Sequence, residues 1–336
     1  MPTKDELRTL QALPLEIKVL KTQQRIREWV EYYGEENVAI SFSGGKDSTV
    51  LMHIVREMYP NIMAFFVDTG LEYPEIRQFV KSFDNVEILR PRMKFDEVVR
   101  QYGYPLISKE VANCIYWGKR GNKSRLERLN GTWLDANGEK SIYNKEKYKP
   151  LLDVDFMISD RCCGIMKKET AHKVKKAQIV ATMAEESVMR FSGWLKTGCN
   201  AFNSNKSMPM SFWTNQDVLQ YIKENNLEIA SVYGDIVAVD KNGLEYDCLL
   251  ADCGSTLKCS GCQRTGCIFC GFGAHLEKGE SRFEMLKRTH PRQYEYCMYG
   301  GAYDVDGLWK PTKEGLGMKH CIDVINDIYG KDFIRY

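Results

Sequence analysis

Apolar residues recur at helical spacing at Leu7, Leu10, Leu15, Ile17, Leu20, Ile26, Trp29 and Val30. This pattern predicts two helices over residues 5–33, broken near Pro14. The period then changes. Val38-Ala39-Ile40-Ser41-Phe42 reads as a short buried strand, followed by a glycine-rich turn and a helix over about residues 48–58. Residues 62–67 read as a second strand ending at Asp68-Thr69-Gly70, with a helix after Pro74. Residues 86–89 read as a third strand and 95–102 as the helix after it. Strand and helix alternating at this spacing predict an α/β fold, a parallel sheet sandwiched by helices, with ligands at the carboxyl ends of strands. Ser43-Gly44-Gly45 and Asp68-Thr69-Gly70 both fall at such ends, as a nucleotide site requires.

From Lys109 to Lys149 the rhythm stops. Ten Lys/Arg stand there against five Asp/Glu, interleaved with Tyr116, Trp117, Trp133, Tyr143 and Tyr148. This basic insertion reads either as a surface for tRNA or DNA, with lysines on phosphates and aromatics stacked on bases, or as a solvated excursion whose aromatics pack on the core. Beyond it the pattern predicts a helix after Cys163, a strand near 178–182 and a helix over 216–224. Residues 248–273 are rich in cysteine and glycine with little periodicity, as metal-organised segments are. The expected organisation is a helical segment over 1–35, a nucleotide-binding domain over 36–240 carrying the insertion at 109–150, and a Cys-rich metal-binding and helical segment over 241–336.

Composition narrows the classes. No run approaches the about 18 to 20 apolar residues of a membrane span, and the first residues lack the layout of a signal peptide. A cytoplasmic protein with no membrane partner is the expectation. The net charge of +2 argues against a globally basic nucleic-acid binder. Twelve cysteines are many for such a chain, and in a reducing compartment clustered thiols read as metal ligands or reactive groups.

Ser43-Gly44-Gly45-Lys46-Asp47-Ser48 lies between an apolar strand and an amphipathic helix. Its glycines permit unusual φ and let backbone N–H groups approach an anion closely. The start of the helix points its positive end at the same place, and Lys46 adds a charge. The spacing differs from that of the common G-x-x-x-x-G-K-[ST] loop.

The chain here resembles the PP-loop ATP pyrophosphatases, or adenine nucleotide α-hydrolase-like proteins. Within them it resembles the phosphoadenosine phosphosulfate reductase family, in a bacterial and phage branch with a Cys-rich C-terminal segment. The motifs agree in order: residues 41–48; Val67-Asp68-Thr69-Gly70 with Tyr73-Pro74-Glu75; Cys162-Cys163 with Lys167-Lys168; Glu186-Ser187-Val188-Met189-Arg190; residues 212–218; and Val232-Tyr233-Gly234-Asp235. The resemblance implies a HUP-like Rossmannoid sheet. It implies that Ser43, Gly44, Gly45, Lys46 and Ser48 hold the phosphates of ATP, that Asp47 places Mg2+, and that Asp68 and Thr69 lie beside the nucleotide. It places Glu186 and Arg190 over the far phosphates or a second substrate, so that Lys46, Asp47, Glu186 and Arg190 are the candidate catalytic set. The family's sulfate reductases carry a catalytic cysteine in a C-terminal Glu-Cys-Gly-Leu-His segment, whereas this chain ends Asp332-Phe333-Ile334-Arg335-Tyr336. Lys46 and Asp47 together with that ending lead to the expectation of ATP as substrate.

Four cysteine groups are visible: Cys162-Cys163; Cys248 and Cys253; Cys259-x-x-Cys262; and Cys267-x-x-Cys270. Two C-x-x-C units so close together signal metal. One reading is a zinc knuckle of Cys259, Cys262, Cys267 and Cys270, although the spacer is shorter than the ~15 to 20 residues usual for such sites. The other, implied by the resemblance to cluster-bearing adenylyl sulfate reductases, is a [4Fe–4S] cluster held by Cys162, Cys163, Cys267 and Cys270. All-thiolate ligation fits either. Cys114, Cys199, Cys297 and Cys321 stand alone and read as small buried apolar residues.

The functional expectation is an ATP-cleaving sulfurtransferase that adenylates a nucleic acid or nucleotide, with a sulfur donor such as a cysteine desulfurase and room for an oligomer. The alternatives are a reductase of adenylyl sulfate or its 3'-phosphorylated form, and a nucleotide-sensing partner protein without turnover.

Overall fold

A computed structural model describes residues 2–240, 245–246 and 256–336; Cys248 and Cys253 lie outside them. The chain forms two compact units interleaved in sequence. The first comprises residues 1–68, 72–89 and 173–265, and the second residues 69–71, 90–172 and 266–336.

The first unit is built on a six-stranded sheet. Its order is Val86–Leu89, Ala64–Val67, Val38–Ser41, Ala177–Val180, Lys206–Ser207 and Asn200–Ala201. The first five run parallel, and only Asn200–Ala201 is antiparallel to its neighbour. Val38, Ala39 and Ile40 are wholly buried, as befits a central parallel strand covered on both faces. Ile40 pairs with Ala64 on one side and Ile179 on the other. The chain first builds outward from Val38–Ser41 on one side and later returns to its other side. This strand is therefore the topological switch point, and the loop after it lies where α/β sheets bind ligands.

The helix Lys46–Met58 follows, burying Val50, Leu51, Ile54 and Val55 completely. Pro14 separates the helices Lys4–Gln11 and Leu15–Tyr33, as the periodicity predicts. Inside the unit Lys18 Nζ donates to both carboxylate oxygens of Asp217 (2.8 and 2.7 Å), and Trp213 Nε1 donates to Thr22 Oγ1 (2.8 Å). These polar links fix the helix Leu15–Tyr33 to the helix Asn215–Glu224 and the turn before it.

The second unit is mainly helical. It includes Phe95–Tyr102, Lys109–Gly118, Lys123–Asn130, Arg282–Thr289, Pro291–Met298 and Met318–Tyr329. Leu106–Ile107 pairs in parallel with Gly271–Phe272. The loss of rhythm after Lys109 is corrected here, because residues 109–130 are largely two helices. Ser108 and Asn122 cap them; the first buries Val111, Ala112, Cys114, Ile115 and Tyr116, the second only Arg128 and Leu129. Much of the positive charge is spent internally. Arg128 and Lys145 both pair with Glu110, Lys140 pairs with Glu146, and Lys119 donates to the carbonyls of Val154 and Phe156. Among the described residues no helix is long and apolar enough to cross a membrane.

Candidate functional site

The glycine loop of the first unit is closed by its own hydroxyls. Ser43 N–H donates to Ser48 Oγ (3.2 Å), Ser48 Oγ donates to the Gly45 carbonyl (2.9 Å), and the two serine hydroxyls stand 2.9 Å apart. Gly44 has φ +70°, and a Cβ there would stand 2.7 Å from a Val80 methyl and 2.8 Å from an Ile76 methyl. Only glycine meets both demands. The N-cap residue of the helix that starts at Lys46 is Gly45, which has no side chain to offer its first amides.

Lys46 is buried, and its ammonium donates to Asp47 Oδ1 at 3.3 Å. Asp68, also buried, accepts from Arg77 Nη2 at 3.0 Å, so its carboxylate is oriented from within the same unit. Glu186 and Arg190 form an ion pair across the start of the helix Val188–Thr197. Burial lowers the Arg190 pKa, Arg264 lowers it further, and Asp47 works in the opposite direction. Lys46, Asp47, Glu186, Arg190 and Arg264 therefore share one electrostatic neighbourhood: three cations and two carboxylates beside the glycine loop.

The motif reading did not assign a site role to Tyr233, Arg264 or Thr265. Tyr233 Oη accepts from Lys46 N–H at 3.3 Å and lies 2.5 Å from Thr265 Oγ1. Burial pushes the phenol up to about 12, so it stays protonated. The quoted Val232–Asp235 motif marked the segment, but nothing in its spacing ties a tyrosine to a loop almost 190 residues earlier.

Cys259 and Cys262 belong to the same unit. Both are buried, and burial raises the Cys259 thiol while Lys46 opposes it. A thiol raised in this way, as at Cys259, is a poor nucleophile.

The other cysteines converge in the second unit. Cys162, Cys163, Cys267 and Cys270 line one enclosed cavity of about 20 Å³ with Thr69, Leu71 and Met166. Thr69 thus faces the thiols of its own unit. Cys163 opens a π-helical turn, Cys163–Lys168, a geometry common at functional sites. The hydrogen bond from Cys162 lowers the Cys163 thiol to about 6 against the opposing effect of burial, with Lys109 and Lys167 assisting. Burial raises Cys270. Arg282 Nη1 holds the Cys270 carbonyl at 2.8 Å, and Ile268 N–H donates to the Leu71 carbonyl at 2.8 Å. Ile107, on the strand beside Gly271–Phe272, is fully buried at φ +67°, a strained conformation for a β-branched residue.

Among the described residues, no three His, Cys, Asp or Glu side chains are arranged to hold a single metal ion. Four thiols around one small cavity nevertheless form the donor set of an iron–sulfur cluster. The residues present fit that group. Cys259 and Cys262 do not line this cavity. The solitary Cys114, Cys199, Cys297 and Cys321 are buried, as expected.

A mostly parallel sheet with a tight glycine loop at its switch point defines an α/β protein of the PP-loop fold. The sequence matches the phosphoadenosine phosphosulfate reductase domain over residues 37–110 and 134–271, and the chain belongs to that family. Residues 111–133, within the helical insertion, fall between the matched blocks. A phosphoadenosine 5'-phosphosulfate reductase of Xanthomonas euvesicatoria pv. vesicatoria is 30% identical over 222 residues, 65% of this chain and 74% of its own length. One from Xanthomonas axonopodis pv. citri is 23% identical with the same coverage. Among solved structures, phosphoadenylyl-sulfate reductase from Candida auris in a phosphate complex gives a TM-score of 0.35 at 14% identity, covering 69% of this chain and 91% of that one. The U34-tRNA thiolase NcsA of Methanococcus maripaludis with its [4Fe-4S] cluster gives 0.33 at 15% identity, covering 64% and 65%.

Proposed function

We propose that this chain binds ATP with Mg2+ at the loop Ser43–Ser48 and cleaves it between the α- and β-phosphates to activate an acceptor for sulfur transfer. The observation that carries this reading is the gathering of Lys46, Arg190 and Arg264 beside the loop. Three cations suit a pyrophosphate leaving group, which an activated sulfate lacks. In the first step an acceptor oxygen attacks the α-phosphorus, the bond to the bridging oxygen of the β-phosphate breaks, and pyrophosphate leaves. Lys46 and the loop amides stabilise its developing charge, and Asp47 helps hold Mg2+. Arg190 offers a planar pair of donors to the same oxyanions, with Glu186 orienting it. In the second step a sulfur nucleophile attacks the activated atom and AMP departs with its oxygen.

Cys162, Cys163, Cys267 and Cys270 are the residues that would hold a [4Fe–4S] cluster, with Zn2+ as the alternative ion. Such a cluster, when bound, supplies sulfide or electrons. Lys109 and Lys167 add positive charge beside Cys163. The acceptor class is a tRNA or DNA, and a cysteine desulfurase fits as sulfur donor.

A second reading is reduction of phosphoadenylyl sulfate, favoured by the activity named for the Xanthomonas relatives. Labelled ATP and labelled phosphoadenylyl sulfate, offered anaerobically with and without bulk tRNA, DNA and sulfide, separate the two. AMP and pyrophosphate support the first reading, and sulfite supports the second.

A further inference from the structure

Tyr233 reaches the phosphate loop from a turn far along the chain, and its surroundings are built to keep it there. Its backbone carbonyl accepts from Gly261 N–H (2.9 Å), and the neighbouring Val232 carbonyl accepts from Cys262 N–H (2.9 Å). A Cβ on Gly261 would stand 2.6 Å from the Val232 carbonyl oxygen, so the two turns are packed backbone to backbone. At the other end of the side chain, a Cβ on Gly45 would lie 3.2 Å from the phenol oxygen. The second glycine of the loop leaves room for that hydroxyl.

The two hydrogen bonds of the phenol are unequal. The one to Thr265 Oγ1 is short, at 2.5 Å, and the one from Lys46 N–H is long, at 3.3 Å. A phosphate oxygen is a stronger acceptor than a neutral phenol, because bonds to an ionised acceptor are shorter and about twice as strong. An anion arriving at the loop therefore takes the Lys46 amide while Tyr233 stays on Thr265. With Thr265 Oγ1–H as its donor, the phenol turns its own proton to the oxygen now occupying the amide.

We propose that Tyr233 is a phosphate ligand of this loop, a neutral hydroxyl donor whose rotor Thr265 sets. The assignment rests on the nucleotide reading above and deepens it. Its targets are the β- and γ-phosphates, or free pyrophosphate, since these engage the loop; AMP, which lacks them, is the control.

Calorimetric titration of the full chain with Mg-ATP, pyrophosphate with Mg2+, and AMP tests this. Tyr233→Phe is expected to weaken ATP and pyrophosphate by about tenfold, the scale of a hydrogen bond to a charged group, and to leave AMP unchanged. Thr265→Val shifts the same two ligands in the same direction, and Thr265→Ser restores them. The threonine pair carries the test if Tyr233→Phe fails to fold. Wild type binding ATP and pyrophosphate while Tyr233→Phe leaves both unchanged, or tightens them, overturns the assignment alone. Equal losses for AMP and pyrophosphate overturn it in favour of a structural role. A wild-type chain that binds neither ATP nor pyrophosphate overturns the nucleotide reading and the assignment with it.

Discussion

Gly44 and Ile76 are so close that a single added carbon on the glycine would stand 2.8 Å from the isoleucine methyl. The helix Pro74–Lys81 thus sets how tightly the chain must turn after the strand Val38–Ser41, and it does so with the apolar side chains of Ile76 and Val80. Gly44→Ala adds this clash to a left-handed φ. The expected result is a loss of stability of about 1–3 kcal/mol with ATP binding abolished, read by thermal melting and titration. An unchanged melting temperature with intact ATP affinity would contradict the packing described for the loop.

The buried pair Lys18–Asp217 makes a different prediction. Lys18→Met leaves the Asp217 carboxylate without its cation, at an expected loss of about 3–5 kcal/mol. The double variant Lys18→Met/Asp217→Leu recovers part of that loss, because no buried charge is left unpaired. Denaturant unfolding of the single and double variants measures the difference.

Asp155 gives a pH signature. Burial pushes its carboxyl up, but hydrogen bonds from Tyr303 (2.7 Å) and His320 (2.9 Å) outweigh this and hold it below the usual range. A depressed carboxyl stabilises the fold above its unfolded pKa of about 3.9, and the contribution is lost as pH falls through the lower folded value. Asp155→Asn should therefore be less stable than wild type at neutral pH, with the gap narrowing below about pH 4. Melting curves across that range check it; a gap that stays constant would contradict the assignment.

Iron content separates the two classes of cysteine. Cys163→Ala and Cys270→Ala, which alter the thiol cavity, are expected to lose iron and visible absorbance after anaerobic purification. Cys297→Ala, which alters a wholly buried thiol elsewhere in the same unit, should retain both while melting earlier. Stoichiometric zinc without iron in wild type would replace the cluster by the alternative ion.

The strands Val38–Ser41 and Val86–Leu89 and the helix Phe95–Tyr102 were legible because short apolar runs and a clear helical period leave little choice. The helices Lys109–Gly118 and Lys123–Asn130 were not. The second buries only Arg128 and Leu129 and relies on its cap and on the Arg128–Glu110 pair, which no hydrophobic period records, while the buried face of the first is obscured by the basic composition of the stretch around it. Ser43-Gly44-Gly45-Lys46 was legible as a tight turn between strand and helix, because its glycines signal that conformation locally. The convergence of Cys162-Cys163 with Cys267 and Cys270 could be suggested only by family resemblance, since about a hundred residues separate them. Tyr233 was illegible for the same reason: its contact with Lys46 exists only once the sheet is folded.

The central claim is that Lys46, Asp47 and their neighbours serve cleavage of ATP at the α–β bond. Incubating the anaerobically purified chain with ATP labelled on the α-phosphate, with Mg2+, sulfide and bulk tRNA or DNA, tests it most directly. The account predicts labelled AMP and an equal amount of pyrophosphate, both lost in Lys46→Ala. Labelled ADP, or no turnover with any acceptor, would contradict it.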